Sequence, residues 1–92
     1  MLADLEAVLR SRLADPPPGS YSATLLTDPE RVQRKIMEEA FEFCLELGRG
    51  PALDPQRTAA EAADLLFHLL AGLVGAGVSL DQVLAELQAR RR

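Results

Sequence analysis

Residues 59–74 read Ala59-Ala60-Glu61-Ala62-Ala63-Asp64-Leu65-Leu66-Phe67-His68-Leu69-Leu70-Ala71-Gly72-Leu73-Val74. Wound at α-helical pitch, the stretch is apolar almost all the way round, which implies burial on most of its faces. Its polar side chains, Glu61, Asp64 and His68, fall within an arc of roughly 60°, and Arg57 extends the same line toward the N-terminus. Such a helix carries more apolar surface than three partners in one small domain would cover. The expected architecture is therefore all-α, a bundle of four to five helices whose core is completed by dimerisation.

A carboxylate on a buried helix is costly unless it is paired, hydrogen-bonded or bound to metal. A second acidic group lies upstream in Glu38-Glu39-Ala40-Phe41-Glu42. There Val32, Ile36, Ala40, Phe43 and Leu47 form an apolar stripe, and Glu38, Glu39 and Glu42 occupy an arc of roughly 100° beside it, with Lys35 and Glu46. The connection between the two helices is short, so they are expected to be antiparallel neighbours. Glu42 and Glu61 then lie at similar heights, and Glu38 and Glu39 level with Asp64. Five converging carboxylates suggest a Mg²⁺ site, because hard divalent cations take oxygen ligands.

Helix punctuation supplies the rest of the fold. A first helix is expected over residues 2–14, with Leu2, Leu5, Leu9 and Leu13 at helical spacing. Asp15-Pro16-Pro17-Pro18-Gly19-Ser20 stops it. Tyr21 to Leu26 reads ambiguously, with room for a short turn of helix. The next helix opens near Asp28, either through a Thr27–Glu30 capping box or through Asp28 as N-cap and Pro29 at N1. It ends at Gly48-Arg49-Gly50-Pro51. Asp54-Pro55 opens the helix that ends near Gly75 or Gly77, and Ser79-Leu80-Asp81-Gln82 is a capping box for the last. Arg90, Arg91 and Arg92 close it, where cations suit the dipole.

With 92 residues, the chain reads as a single domain over 1–92. Apolar residues make up 48% with no Trp, one Tyr and three Phe, so the core must be built from Leu, Ala and Val. A net charge of −4 argues against nucleic-acid binding and means that a polyphosphate must arrive with cations. Cys44 is the single cysteine, which forbids an intrachain disulfide, and it is expected at the edge of the buried arc. Met1-Leu2-Ala3-Asp4 has no basic leader character, and Leu65–Val78 is too short to span a bilayer. A soluble cytoplasmic protein without membrane or nucleic-acid partners is expected.

Glu38-Glu39-x-x-Glu42, eighteen intervening residues and Glu61-x-x-Asp64 together resemble the signature of the all-α nucleoside triphosphate pyrophosphohydrolases. Within that superfamily the chain most resembles the phosphoribosyl-ATP pyrophosphohydrolases, over nearly its whole length. Gly19-Ser20-Tyr21-Ser22, Lys35-Ile36-Met37-Glu38-Glu39-Ala40, Glu61-Ala62-Ala63-Asp64-Leu65-Leu66-Phe67-His68-Leu69-Leu70 and Val78-Ser79-Leu80-Asp81-Gln82-Val83-Leu84 are the stretches that carry it. The sequence departs from the family pattern at Met37 (usually Gly), Phe67 (usually Tyr), Ser22 (usually Thr) and Ala60 (often Glu). None of these changes removes a carboxylate of the motif.

The resemblance implies Mg²⁺-dependent hydrolysis of phosphoribosyl-ATP to phosphoribosyl-AMP and pyrophosphate, the second step of histidine biosynthesis. It implies Glu38, Glu39, Glu42, Glu61 and Asp64 as metal ligands, with Glu39 favoured as general base. Ser20, Tyr21, Lys35 and His68 become candidates for substrate contact, as do Arg31, Arg49 and Arg57 for phosphate. Ordinary roles compete: Arg34–Glu38 and Lys35–Glu39 pairs on a solvated face, an internal Arg57 pair for Glu61 or Asp64, and a satisfied core position for His68. A homodimer and functional association with phosphoribosyl-AMP cyclohydrolase are further expectations. Two other readings stand beside this one. A housekeeping nucleoside triphosphate pyrophosphohydrolase of the MazG-like type shares the motif but not the Gly-Ser-Tyr loop. A non-catalytic helical dimerisation module would tolerate neutral residues among the five carboxylates, and none is present.

Overall fold

The computed structural model describes residues 1–91; Arg92, the last residue of the expected basic end, lies outside the described residues. The chain forms α1 (Leu2–Ala14), α2 (Tyr21–Thr27), α3 (Pro29–Leu47), α4 (Pro55–Ala76) and α5 (Leu80–Ala89), with one 3₁₀ turn at Gly50–Ala52. There is no strand among the described residues.

The ambiguous segment is a helix because of its surroundings. Seven residues cannot sustain a helix alone in water. The Ser20 hydroxyl caps α2 by accepting from the Ala23 amide at 3.2 Å, and Leu25 and Leu26 are driven into the core. At the start of α3 the Asp28 option is the one realised: its Oδ1 accepts from the Arg31 amide, and Pro29 fills the first turn. Thr27 ends α2 instead, its hydroxyl donating to the Ala23 carbonyl. Asp54 caps α4 through the Gln56 amide, and Ser79 and Gln82 form the expected capping box at α5. α4 closes on Gly77 at φ +76°, a left-handed conformation suited to glycine, and Val78 donates back to the Leu73 carbonyl at 2.9 Å.

The α3–α4 hairpin is the main contact of the fold, and α1 and α2 pack on α4. The core is Leu9, Leu25, Leu26, Val32, Leu70, Ala71 and Val74, flanked by Leu5, Ile36, Phe67, Leu73 and Leu80. α5 is tethered lightly: the Glu6 carboxylate, paired with Arg10, accepts from the Leu80 amide at 2.7 Å. By length and composition α4 alone among the described helices could cross a membrane. It is longer than its apolar run suggests because Asp54-Pro55 starts it well before that run.

Within one chain the apolar faces are only partly covered. On α4, His68, Leu70, Ala71 and Val74 are buried, whereas Leu66 and Leu69 are exposed. The α3 stripe is buried at Val32, half-buried at Ile36, Ala40 and Phe43, and exposed at Leu47. Cys44 is exposed and not packed. At helical spacing it shares a face of α3 beside that stripe with Met37, Phe41 and Leu45, all three also exposed.

α2 and α4 cross closely at Gly75, where a Cβ would stand 3.0 Å from the Leu26 carbonyl oxygen. Gly75→Ala is expected to destabilise the protein by about 1–2 kcal/mol. The overpacking against rigid backbone exceeds the roughly 1 kcal/mol gained in helix propensity. Urea denaturation checks this, and a higher midpoint for the variant would rule it out.

Candidate active site

The register of the α3–α4 hairpin decides which side chains meet. Glu39 lies with Asp64 and Glu61, Glu42 lies beside Glu61, and Glu46 meets Arg57. Residue numbers rise on α3 as they fall on α4, as the antiparallel expectation requires. Glu39, Glu61 and Asp64 each offer a carboxylate oxygen within 4.8 Å of the others.

Glu39 is 7% exposed; its Oε1 sits 3.6 Å from Lys35 Nζ, and its Oε2 is buried without a hydrogen-bond partner. Glu61 Oε2 is buried without a partner as well. Burial pushes the Glu61 carboxyl above the ordinary carboxylate range, and the like charges of Glu42, Asp64 and Glu39 push it the same way, with Glu42 close enough to share its proton. Two orphaned buried oxygens in a group made of carboxylates alone are the surroundings a hard divalent cation relieves. The residues fit Mg²⁺.

Glu38 stands apart from this group. It is exposed and accepts a 3.2 Å hydrogen bond from Lys35. That bond, opposed by burial and aided by the charges of Tyr21, Glu38 and Glu39, holds the Lys35 ammonium above its usual range. The Arg34–Glu38 pair is not among the ion pairs formed, and Arg57 pairs with Glu46 instead of Glu61 or Asp64.

Tyr21 and His68 come together across 47 residues, with the Tyr21 hydroxyl 2.9 Å from His68 Nε2. His68 Nδ1 is 2.7 Å from the Asp64 carbonyl oxygen, which can only accept, so Nδ1 carries a proton. In the neutral ring Nε2 then accepts from Tyr21. His68 is 6% exposed and both ring nitrogens are engaged, so it braces α2 against the backbone of Asp64. Ser20 serves as a helix cap, leaving its hydroxyl hydrogen free.

Sequence patterning alone does not single out Glu46 as a site residue, although it is 5% exposed and bound to Arg49 at 3.0 Å. Its i+4 spacing from Glu42 is the available signal. Arg31 contributes only its backbone amide, to the Asp28 cap. A wide groove lined by Leu25, Leu26, Val32, Ile36, Leu69 and Leu73 lies elsewhere and contains none of these carboxylates.

The family model for phosphoribosyl-ATP pyrophosphohydrolase matches residues 2–91. The chain belongs to the phosphoribosyl-ATP pyrophosphohydrolase family. A phosphoribosyl-ATP pyrophosphatase of Methylobacterium nodulans is 42% identical over 97% of this chain and 81% of its own length. One of Methanoculleus marisnigri is 40% identical over 100% of this chain and 95% of its own. A histidine biosynthesis trifunctional protein of Neurospora crassa is 44% identical over 97% of this chain, a region that makes up 10% of that protein.

The raised Glu61 carboxyl makes metal-free stability depend on pH with a definite sign. Between the ordinary carboxylate pKa and the raised folded value, the native state holds a proton that the unfolded chain has released. This contribution is fully present below the unfolded pKa and is lost as pH rises through the folded one. In chelator, Glu61→Gln should therefore raise the thermal midpoint more at pH 7 than at pH 4. Equal shifts at both pH values would contradict a cause in the burial and charge crowding of Glu61.

Proposed function

We propose that this protein hydrolyses phosphoribosyl-ATP to phosphoribosyl-AMP and pyrophosphate with Mg²⁺, the second step of histidine biosynthesis. The observation that carries the reading is the meeting of Glu39, Glu61 and Asp64, two of them with orphaned buried oxygens, in a chain of this family. The activity named for the Methylobacterium and Methanoculleus relatives supports it.

Glu39, Glu42, Glu61 and Asp64 would hold Mg²⁺, which supplies charge neutralisation, a polarised phosphorus centre and an acidified water. Glu38 would join them only by leaving Lys35. Glu39, beside Lys35, is the favoured base: the oxygen it does not give to the metal would take the proton of the attacking water. Lys35 also meets a phosphate oxygen. The Ser20 hydroxyl donates to the substrate, and the half-exposed Tyr21 ring packs on it. His68, expected to touch substrate, acts through Tyr21 in this scheme. Pyrophosphate release from phosphoribosyl-ATP, with and without Mg²⁺, tests the assignment; activity undiminished in chelator would reject it.

The working enzyme in this reading is cytoplasmic. It is at least a dimer, because Phe41, Leu45, Leu66 and Leu69 remain exposed in one chain. Sedimentation at micromolar concentration is expected to give a dimer or larger, and a stable monomer would remove the proposal. The Neurospora trifunctional relative supports function beside other enzymes of histidine biosynthesis, with phosphoribosyl-AMP cyclohydrolase as the proposed associate.

A further inference from the structure

The α3–α4 hairpin continues past its acidic rungs to a different one. One helical turn beyond Glu42 on α3 is Glu46, and one turn before Glu61 on α4 is Arg57, so this rung lies about 6 Å nearer the interhelical turn. The Glu46 carboxylate is buried and draws two guanidiniums to a single oxygen: Arg49 Nε hydrogen-bonds Oε1 at 3.0 Å, and Arg57 Nε approaches it at 4.0 Å, an ion pair without a hydrogen bond. Both arginines engage Glu46 through Nε. Among the described residues their Nη groups have no partner, and both side chains are open to solvent. A half-exposed pair of this kind contributes little stability. Its effect is to gather cationic charge beside an acidic group.

We infer that Arg49 and Arg57, gathered by Glu46, form a subsite for the diphosphate portion of the substrate, the part released as pyrophosphate. The inference rests on the pyrophosphohydrolase reading above. Once the acidic rungs hold cations, a polyphosphate bound there extends along the hairpin in one of two directions. Toward α2 it meets one ammonium, that of Lys35, which also faces Glu39. Toward the turn it meets two guanidiniums whose Nη groups project fork-like donors suited to phosphate oxygens. The second direction leaves the phosphoribosyl end of the substrate on the Ser20–Tyr21 side.

The test is calorimetric titration of the full chain with inorganic pyrophosphate in Mg²⁺, alongside titration with Mg²⁺ alone. Arg57→Gln and Arg49→Gln are each expected to weaken pyrophosphate about tenfold. Mg²⁺ affinity and the helical circular dichroism signal should not weaken, and Arg57→Lys should recover part of the loss. Pyrophosphate binding unchanged in both Gln variants, with only a lowered thermal midpoint, would make the cluster a hairpin staple and overturn the inference. So would equal weakening of Mg²⁺ and pyrophosphate. A wild-type chain that binds Mg²⁺-pyrophosphate through these arginines yet leaves phosphoribosyl-ATP intact would refute the substrate assignment and uphold the subsite.

Discussion

Asp64→Asn is expected to lower pyrophosphate release by at least about a hundredfold while leaving the fold intact. The substitution keeps side-chain shape and removes one charge from the group formed with Glu39 and Glu61. Mg²⁺ sheds its water reluctantly and is held chiefly by charged carboxylates, so a neutral amide is a poor replacement. If Asp64 binds the metal as proposed, its loss should exceed the roughly 10–100-fold typical of residues one step further out. The structural part of Asp64 is its backbone carbonyl, which His68 uses and the substitution retains. Like-charge pressure on Glu61 also falls, so the metal-free thermal midpoint should hold or rise. Glu42→Gln is expected to behave alike, because Glu42 is the largest charge acting on Glu61. Turnover, a Mg²⁺ titration and circular dichroism together check this. Turnover near that of the unaltered protein in either variant would remove these carboxylates from the reaction.

Phosphoribosyl-ATP is expected to be favoured over ATP by about a hundredfold or more in kcat/KM. A site built to pair polar groups loses far more than contact area when those groups are missing. The groups in question sit at the entry to α2. Gly19 turns the chain at φ +73°, Pro16–Pro18 stiffen the approach, and Ser20 and Tyr21 are fixed by the α2 cap and by His68. ATP lacks the second ribose phosphate that this edge would meet. Tyr21→Phe removes the hydroxyl and leaves the buried His68 Nε2 without its partner. It should lower kcat/KM for phosphoribosyl-ATP more than for ATP, narrowing the preference. If ATP or dUTP released pyrophosphate as efficiently as phosphoribosyl-ATP, the housekeeping reading would take its place. Growth of a histidine-requiring strain lacking this step, on receiving the gene, is an independent check.

The meeting of carboxylates from α3 and α4 was legible because helical periodicity converts sequence spacing directly into angle and height. Glu39, Glu61 and Asp64 could be brought together from the two antiparallel helices and the short Gly48–Leu53 connection alone. Glu38 shows the limit of that reasoning. It occupies the same arc, but at i+3 Lys35 reaches it, and the helix rotation leaves it in solvent. His68 shows another limit: a buried ring chooses its partner from whatever packs over it, and the Tyr21 hydroxyl arrives from a helix that local propensity scarcely specifies.

The sequence by itself determined the two helices of the hairpin and the acidic face on each, the Asp54 cap of α4 and the Ser79 cap of α5, since these follow from interactions within a few residues; at α3 it narrowed the cap to Thr27 or Asp28. Tertiary structure alone decided that residues 21–27 are helical, that Glu6 holds α5, that Glu46 takes Arg57, and that Tyr21 reaches His68. Each of these depends on side chains distant in sequence competing for one buried position. That competition is settled by the packing of helices, and no local pattern encodes it.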